Sequence, residues 1–225
     1  MLDGVKVDIR KRKRKTASIY IERDGSVSLY VPESLSGQEV EEILRQQEYQ
    51  IHKYLAKREL LNLNRTEREA VNGQAFLYLG RNYHLQFSGE AKEIKLKGGR
   101  FLVPDTRREA VFDLFKEYYR ARGKVFIPSR AQAFAEKMGL RLDEVAILEL
   151  KNRWASCSMK KAKINLHWKA MMAPVSVVDY LIVHELAHLK HRKHDKPFWN
   201  EVDKVLPGYQ KQVDWLARYG AALSL

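Results

Sequence analysis

The chain has a single cysteine, Cys157, in 225 residues, so no intrachain disulfide can form. That suits a reducing compartment and excludes a disulfide-stapled scaffold. No apolar run approaches the ~20 residues that span a bilayer. The opening Met1-Leu2-Asp3-Gly4 has no apolar signal-peptide core. The expectation is a soluble, cytoplasmic protein with no membrane partner. Internal repeats are absent too. Acids are scarce: 28 Asp and Glu stand against 41 Lys and Arg, a net charge of +13. Charge of this kind bears on partners and not on fold.

What is present is enough for a core. Hydrophobic residues make up 45% of the chain, and the length fits one large domain or two small ones. The positive charge is concentrated. Arg10-Lys11-Arg12-Lys13-Arg14-Lys15 is basic throughout, and residues 151–196 carry ten Lys or Arg against three acids. An anionic small molecule or a nucleic acid would be drawn to such surfaces. Flanked by Val7, Ile9, Ile19 and Ile21, the 10–15 run reads as a charged hairpin or an exposed strand.

One pentapeptide carries chemistry: His184-Glu185-Leu186-Ala187-His188. Histidines at i and i+4 on a helix lie about 40° apart around the axis and one turn apart along it. Both imidazoles can reach one zinc ion at ~2.0–2.1 Å. Glu185 projects about 100° round from His184, beside the ion and not onto it. A general base is needed there to take a proton from an attacking water. The neighbours Tyr180, Leu181, Ile182, Val183, Leu186, Ala187 and Leu189 make the helix apolar on most faces. An unpaired buried His or carboxylate is costly, and an ion would resolve that cost.

A catalytic zinc takes three protein ligands and keeps one position open. On a continuous helix His191 would sit roughly 10 Å along the axis from His184, too far for one ion. His194 follows a basic segment where the helix can end. Asp195 is a good N-cap after it, with Pro197 in the first turn of a new helix. A reversal there brings His194 back over His184 and His188. Glu201 and Asp203 are acidic alternatives on the next helix.

The order of elements suits an α+β fold. Residues 5–9, 18–22 and 27–31 read as strands, with a turn at Asp24-Gly25 and a stop at Pro32. Residues 36–60 read as a helix whose face includes Val40, Ile43, Leu44, Ile51, Tyr54 and Leu55. Strands follow over 75–103, around a turn at Gly80-Arg81-Asn82. From Asp105 to Met138 the chain is helical, with breaks at Gly123 and Pro128. Strands at 145–150 and 162–168 bracket Arg153 to Ser158. The 164–168 strand is a candidate for pairing with an extended peptide. A capping box, Ser176-Val177-Val178-Asp179, opens the helix of the pentapeptide, and helices over 196–205 and 210–218 close the chain. This predicts two regions: 1–104, β-rich with one long helix, and 105–225, a zincin-like metal-binding domain.

Several stretches together resemble the YgjP-like metal-dependent hydrolases, which look like relatives of the WLM and SprT-like zinc metallopeptidases. They are Arg153-Trp154-Ala155-Ser156-Cys157-Ser158, Ile164-Asn165-Leu166, Pro174, Asp179 to His188, His194, Phe198-Trp199 and Pro207-Gly208-Tyr209. Ala155 stands where Gly is usual, His167 where Asn is, and Asp195 where Ser is. The resemblance implies that the third ligand is a His with five residues between it and the second motif His, which is His194. The expected activity is a zinc-dependent hydrolase acting on protein or peptide, with Glu185 as base. A phosphate-anhydride or nucleotide hydrolase, and a nucleic-acid module with a structural zinc, are the alternatives. Trp154 and Cys157 are candidates for lining the cleft, and Arg153, Asn152 and Tyr209 for stabilising an oxyanion. Asp179 and Asp195 are candidates for holding the ligand histidines. Phe198, Trp199 and Trp215 read as core residues behind the ligand loop.

Overall fold

The computed structural model describes residues 7–21, 26–62, 68–151 and 153–225. The chain forms two compact units, Met1–Arg65 and Thr66–Leu225. Helices and mixed sheets make it α+β, as expected.

In the first unit, β1 (Val7–Arg12), β2 (Ser18–Ile21) and β3 (Val27–Pro32) form a sheet in the order β1-β3-β2. β1 runs parallel to β3 and β2 antiparallel to it. Val27, Leu29 and Val31 share a small core with Val40, Leu44 and Ile51 of α1 (Gly37–Asn62). Ser36 starts that helix with a reciprocal cap: its N–H donates to the Glu39 carboxylate at 2.8 Å, and its Oγ accepts from the Glu39 N–H at 3.3 Å. The start of the basic run is an exposed strand, as its flanks suggest. Part of its charge is used internally: Arg10 pairs with Asp8, and Lys11 donates to the Leu35 carbonyl. The Asp24-Gly25 turn, Val5, Asn152 and the side chains of Tyr54 and Leu55 lie outside the described residues.

The second unit opens with β4 (Ala75–Tyr78), β5 (Arg81–Ser88), β6 (Lys95–Lys97) and β7 (Arg100–Pro104), in the order β4-β5-β7-β6. The β4–β5 turn is Leu79-Gly80, one residue earlier than expected, with φ of 48° and 79°. Tertiary contacts set it there, because the N–H groups of Leu79 and Gly80 donate to the carbonyls of Met171 and Met172. α2 (Val111–Lys137) runs unbroken through Gly123 and Pro128, against expectation. At Gly123 the missing side chain serves packing instead: an added Cβ would lie 3.3 Å from Ile147 and 3.4 Å from Met171. Phe76 stacks on Phe115 at 3.9 Å, and the Tyr119 hydroxyl donates to the Leu77 carbonyl at 2.6 Å. Residues 75–104 therefore share one core with α2 and the rest of this unit. The division expected between residues 104 and 105 falls between Arg65 and Thr66 instead.

β8 (Glu144–Leu148), β9 (Ala155–Ser158) and β10 (Lys163–His167) form a third sheet, in the order β8-β10-β9. α3 (Val175–Ala187), α4 (Lys196–Val205) and α5 (Gln210–Tyr219) complete the unit. Most of α3 is buried, including Leu181, Ile182, Val183 and Leu186. The Ser176 capping box does not form. Pro174 holds the cap position, and Asp179 is taken by a bidentate pair with Arg130 at 2.7 and 2.6 Å. No helix among the described residues is long and apolar enough to cross a membrane.

Candidate metal centre

His184 lies in the last turn of α3, and His188 caps it with helical φ and ψ. The chain then turns. The N–H groups of Lys190 and His191 both donate to the Ala187 carbonyl. Lys190 anchors the turn by donating to the Met138 carbonyl and pairing with Glu201 at 2.8 Å. Glu201 is thereby removed from the candidate ligands, and Asp203 is exposed. Asp195 caps α4 by accepting from the Phe198 N–H, a role that the usual Ser would also fill.

This reversal brings His194 over the other two histidines. Its Nε2 lies 3.0 Å from that of His188 and 3.1 Å from that of His184. His184, His188 and His194 each offer one ligand atom, all within 4.8 Å of one another. Nitrogens held tetrahedrally at about 2.1 Å from one ion would be about 3.4 Å apart. The three imidazoles therefore fit a divalent cation. His191 is not among them. Its carbonyl accepts from Nδ1 of His188 at 2.9 Å, while the Tyr180 hydroxyl lies 3.3 Å from Nδ1 of His184. These two groups, and not Asp179 or Asp195, orient the rings.

Aromatic packing supports the triad from behind. Phe198 is fully buried, with its ring 5.0, 4.6 and 4.7 Å from those of His184, His188 and His194. His194 stacks on Trp199, Trp199 on Tyr209, and Tyr209 on Tyr180. The Trp199 indole N–H donates to the His194 carbonyl at 3.2 Å. Tyr209 is thus a packing residue in this column.

Burial sets the protonation of the site. It pushes His184 down to about 3, helped by His188 and His194, so the ring stays neutral and able to ligate. Burial likewise lowers His194. Glu185 is 7% exposed and makes no hydrogen bond among the described residues. Burial raises its carboxyl to about 7, against the opposing pull of Arg153.

A cleft of about 540 Å³ opens over the triad and Glu185. Its far wall is the β9 segment, with Ala155, Ser156 and Cys157, flanked by Arg153 and Met159. Arg192 joins from the ligand loop. Cys157 lines the cleft as expected, and burial pushes its thiol up to about 11, so it stays protonated. Trp154 does not line it: its indole packs against Gly220. Nor does the 164–168 strand have an edge to offer, since β10 lies between β8 and β9. β9 is the edge strand that lines the cleft. Its Ala-Ser-Cys-Ser run lacks the β-branched residues that betray a strand.

The chain belongs to the YgjP-like family: the family model described as "YgjP-like, metallopeptidase domain" matches residues 15–219. No curated protein matches. Among solved structures, the chain is similar to the metallopeptidase zymogen of Pyrococcus abyssi abylysin. The identity is 30% over 40% of this chain and 90% of that one, with a TM-score of 0.37.

Proposed function

We propose that this protein is a zinc-dependent metallopeptidase of the cytoplasm, with His184, His188 and His194 as metal ligands and Glu185 as general base. The observation that carries the reading is the convergence of three imidazole nitrogens beside a buried carboxyl, inside a cleft walled by a strand edge. The bound zinc would supply a Lewis acid that polarises the scissile carbonyl.

Glu185 suits the remaining work. A carboxyl titrating near neutrality takes a proton from water and releases it again to the leaving amine. The free edge of β9 offers backbone N–H and C=O groups to an extended peptide, which would pair as an added strand across the cleft. Tyr180 and the His191 carbonyl keep the His184 and His188 rings turned toward the ion.

The test is digestion of a denatured protein by the zinc-loaded chain, followed by mass spectrometry of new termini. New termini from the wild type, and none from Glu185→Gln, support the reading. Cleavage by Glu185→Gln within a few-fold of the wild-type rate overturns it.

A further inference from the structure

Once the triad and Glu185 are set aside, the ionisable groups on the cleft wall are uneven. Two guanidiniums line it, Arg153 and Arg192, and Glu185 is its one acid among the described residues. The two arginines enter from different segments. Arg153 sits just before β9, and Arg192 lies in the loop between His188 and His194. Both are exposed, and neither makes an ion pair or side-chain hydrogen bond among the described residues.

Elsewhere in this unit several cations are neutralised by acids. Arg130 is held by Asp179, Lys163 by Glu144, Arg141 by Asp143 and Lys116 by Glu149. The contrast is sharpest within one loop. Lys190 is neutralised by Glu201, whereas Arg192, two residues on, faces the cleft unpaired. A guanidinium presents a planar fork of donors that fits a carboxylate with two parallel hydrogen bonds. Two such forks at one cleft repel a cationic substrate and attract an anionic one.

We propose that Arg153 and Arg192 make this cleft selective for a peptide carboxylate close to the scissile bond. This rests on the metallopeptidase reading and names the substrate class for that site. The carboxylate can come from an Asp or Glu side chain or from a free C-terminus.

The experiment uses the zinc-loaded full chain and one peptide frame. Three versions are blocked at both ends and carry Glu, Gln or Lys at the varied position. A fourth carries Gln and a free C-terminal carboxylate. Cleavage is read as kcat/KM, and equilibrium binding is read with the inactive Glu185→Gln protein. Two partly exposed ion pairs should favour Glu over Gln by about tenfold. Lys should fall below Gln, and the spread should shrink as salt rises from about 0.05 to about 0.5 M. Preference for the fourth peptide over the blocked Gln peptide would assign the C-terminus as a source. Arg192→Gln should narrow the Glu preference, and Arg192→Glu should reverse the order of Glu and Lys, with zinc content unchanged in both.

Equal values for Glu, Gln and Lys in the wild type, or an order that Arg192→Glu leaves intact, would overturn the proposal. If no peptide is cleaved, the peptidase reading fails. The binding arm still decides the charge selection, because equal affinity for the Glu and Lys peptides overturns it.

Discussion

The backbone carbonyl of His191 accepts a hydrogen bond from Nδ1 of His188 at 2.9 Å. A carbonyl only accepts, so the proton of His188 sits on Nδ1 and its Nε2 lone pair faces His194. The residue that orients this ring of the triad is thus a histidine whose own ring lies outside the triad.

That division of labour gives a test of the ligand set. The purified protein should hold about one zinc per chain. His184→Ala, His188→Ala and His194→Ala should each lose most of it. His191→Ala keeps its carbonyl and should retain the metal. Elemental analysis finding full zinc in the His194 variant, or none in the His191 variant, would redraw the site.

Glu185→Gln should bind zinc and fold normally while losing about 10²- to 10⁴-fold in turnover, the usual cost of one positioned acid–base group. The amide preserves shape and removes the base. Turnover within a few-fold of wild type, measured beside circular dichroism and metal content, would assign the base elsewhere.

The same substitution should change how metal-free stability depends on pH. In the folded chain Glu185 titrates at about 7, against an ordinary value of 4.5. Between those values the folded chain keeps a proton that the unfolded chain has released, so stability falls as pH rises. Metal-free Glu185→Gln should therefore match metal-free wild type below pH 4.5. Above pH 7 it should be more stable, by roughly 3 kcal/mol. His184 acts oppositely: its folded value of about 3 lies below the ordinary 6.5, so stability is lost as pH falls through that window. Both proteins share that loss, so it cancels in the difference. Urea titrations across this range, with chelator present, read the gap; a constant gap would contradict the burial argument.

Gly80 sits where the β4–β5 turn meets the start of α3. A Cβ there would lie 2.8 Å from the Pro174 Cα, and its φ is +79°. Gly73 has a similar φ of +87° with open space around it. Gly73→Ala should thus cost only backbone strain, about 1 kcal/mol. Gly80→Ala adds a backbone clash and should cost about 2–4 kcal/mol. Equal denaturation midpoints for the two variants would show that the Pro174 contact yields freely.

Much of the site was legible because its signals are local. The i, i+4 spacing of His184 and His188 is a property of any helix, and the Asp195 and Pro197 signals mark the chain reversal that delivers His194. What escaped depends on tertiary context. β9 is built of small residues with no hydrophobic alternation, and only its pairing with β10 makes it a strand. Pro128 reads as a breaker, yet α2 packs against α3 and β8 and continues through it. Ser176 and Asp179 have the spacing of a cap, but Arg130, 49 residues away, claims the aspartate. Partners that distant leave no mark in a local window.

The aromatic column from Tyr180 through Tyr209 and Trp199 to His194 draws on α3, the residue before α5, α4 and the ligand loop. Binding of an ion by the triad would therefore be thermodynamically linked to the docking of the chain's last thirty residues. An ion held by His194 would brace α4 and α5 against α3. Without an ion, His184 and His188 would stay in place on a buried helix, while His194 would lose its hold from the loop side. Metal content would then act as a clasp on the C-terminal segment, and resistance of that segment to proteolysis would track how fully the site is loaded.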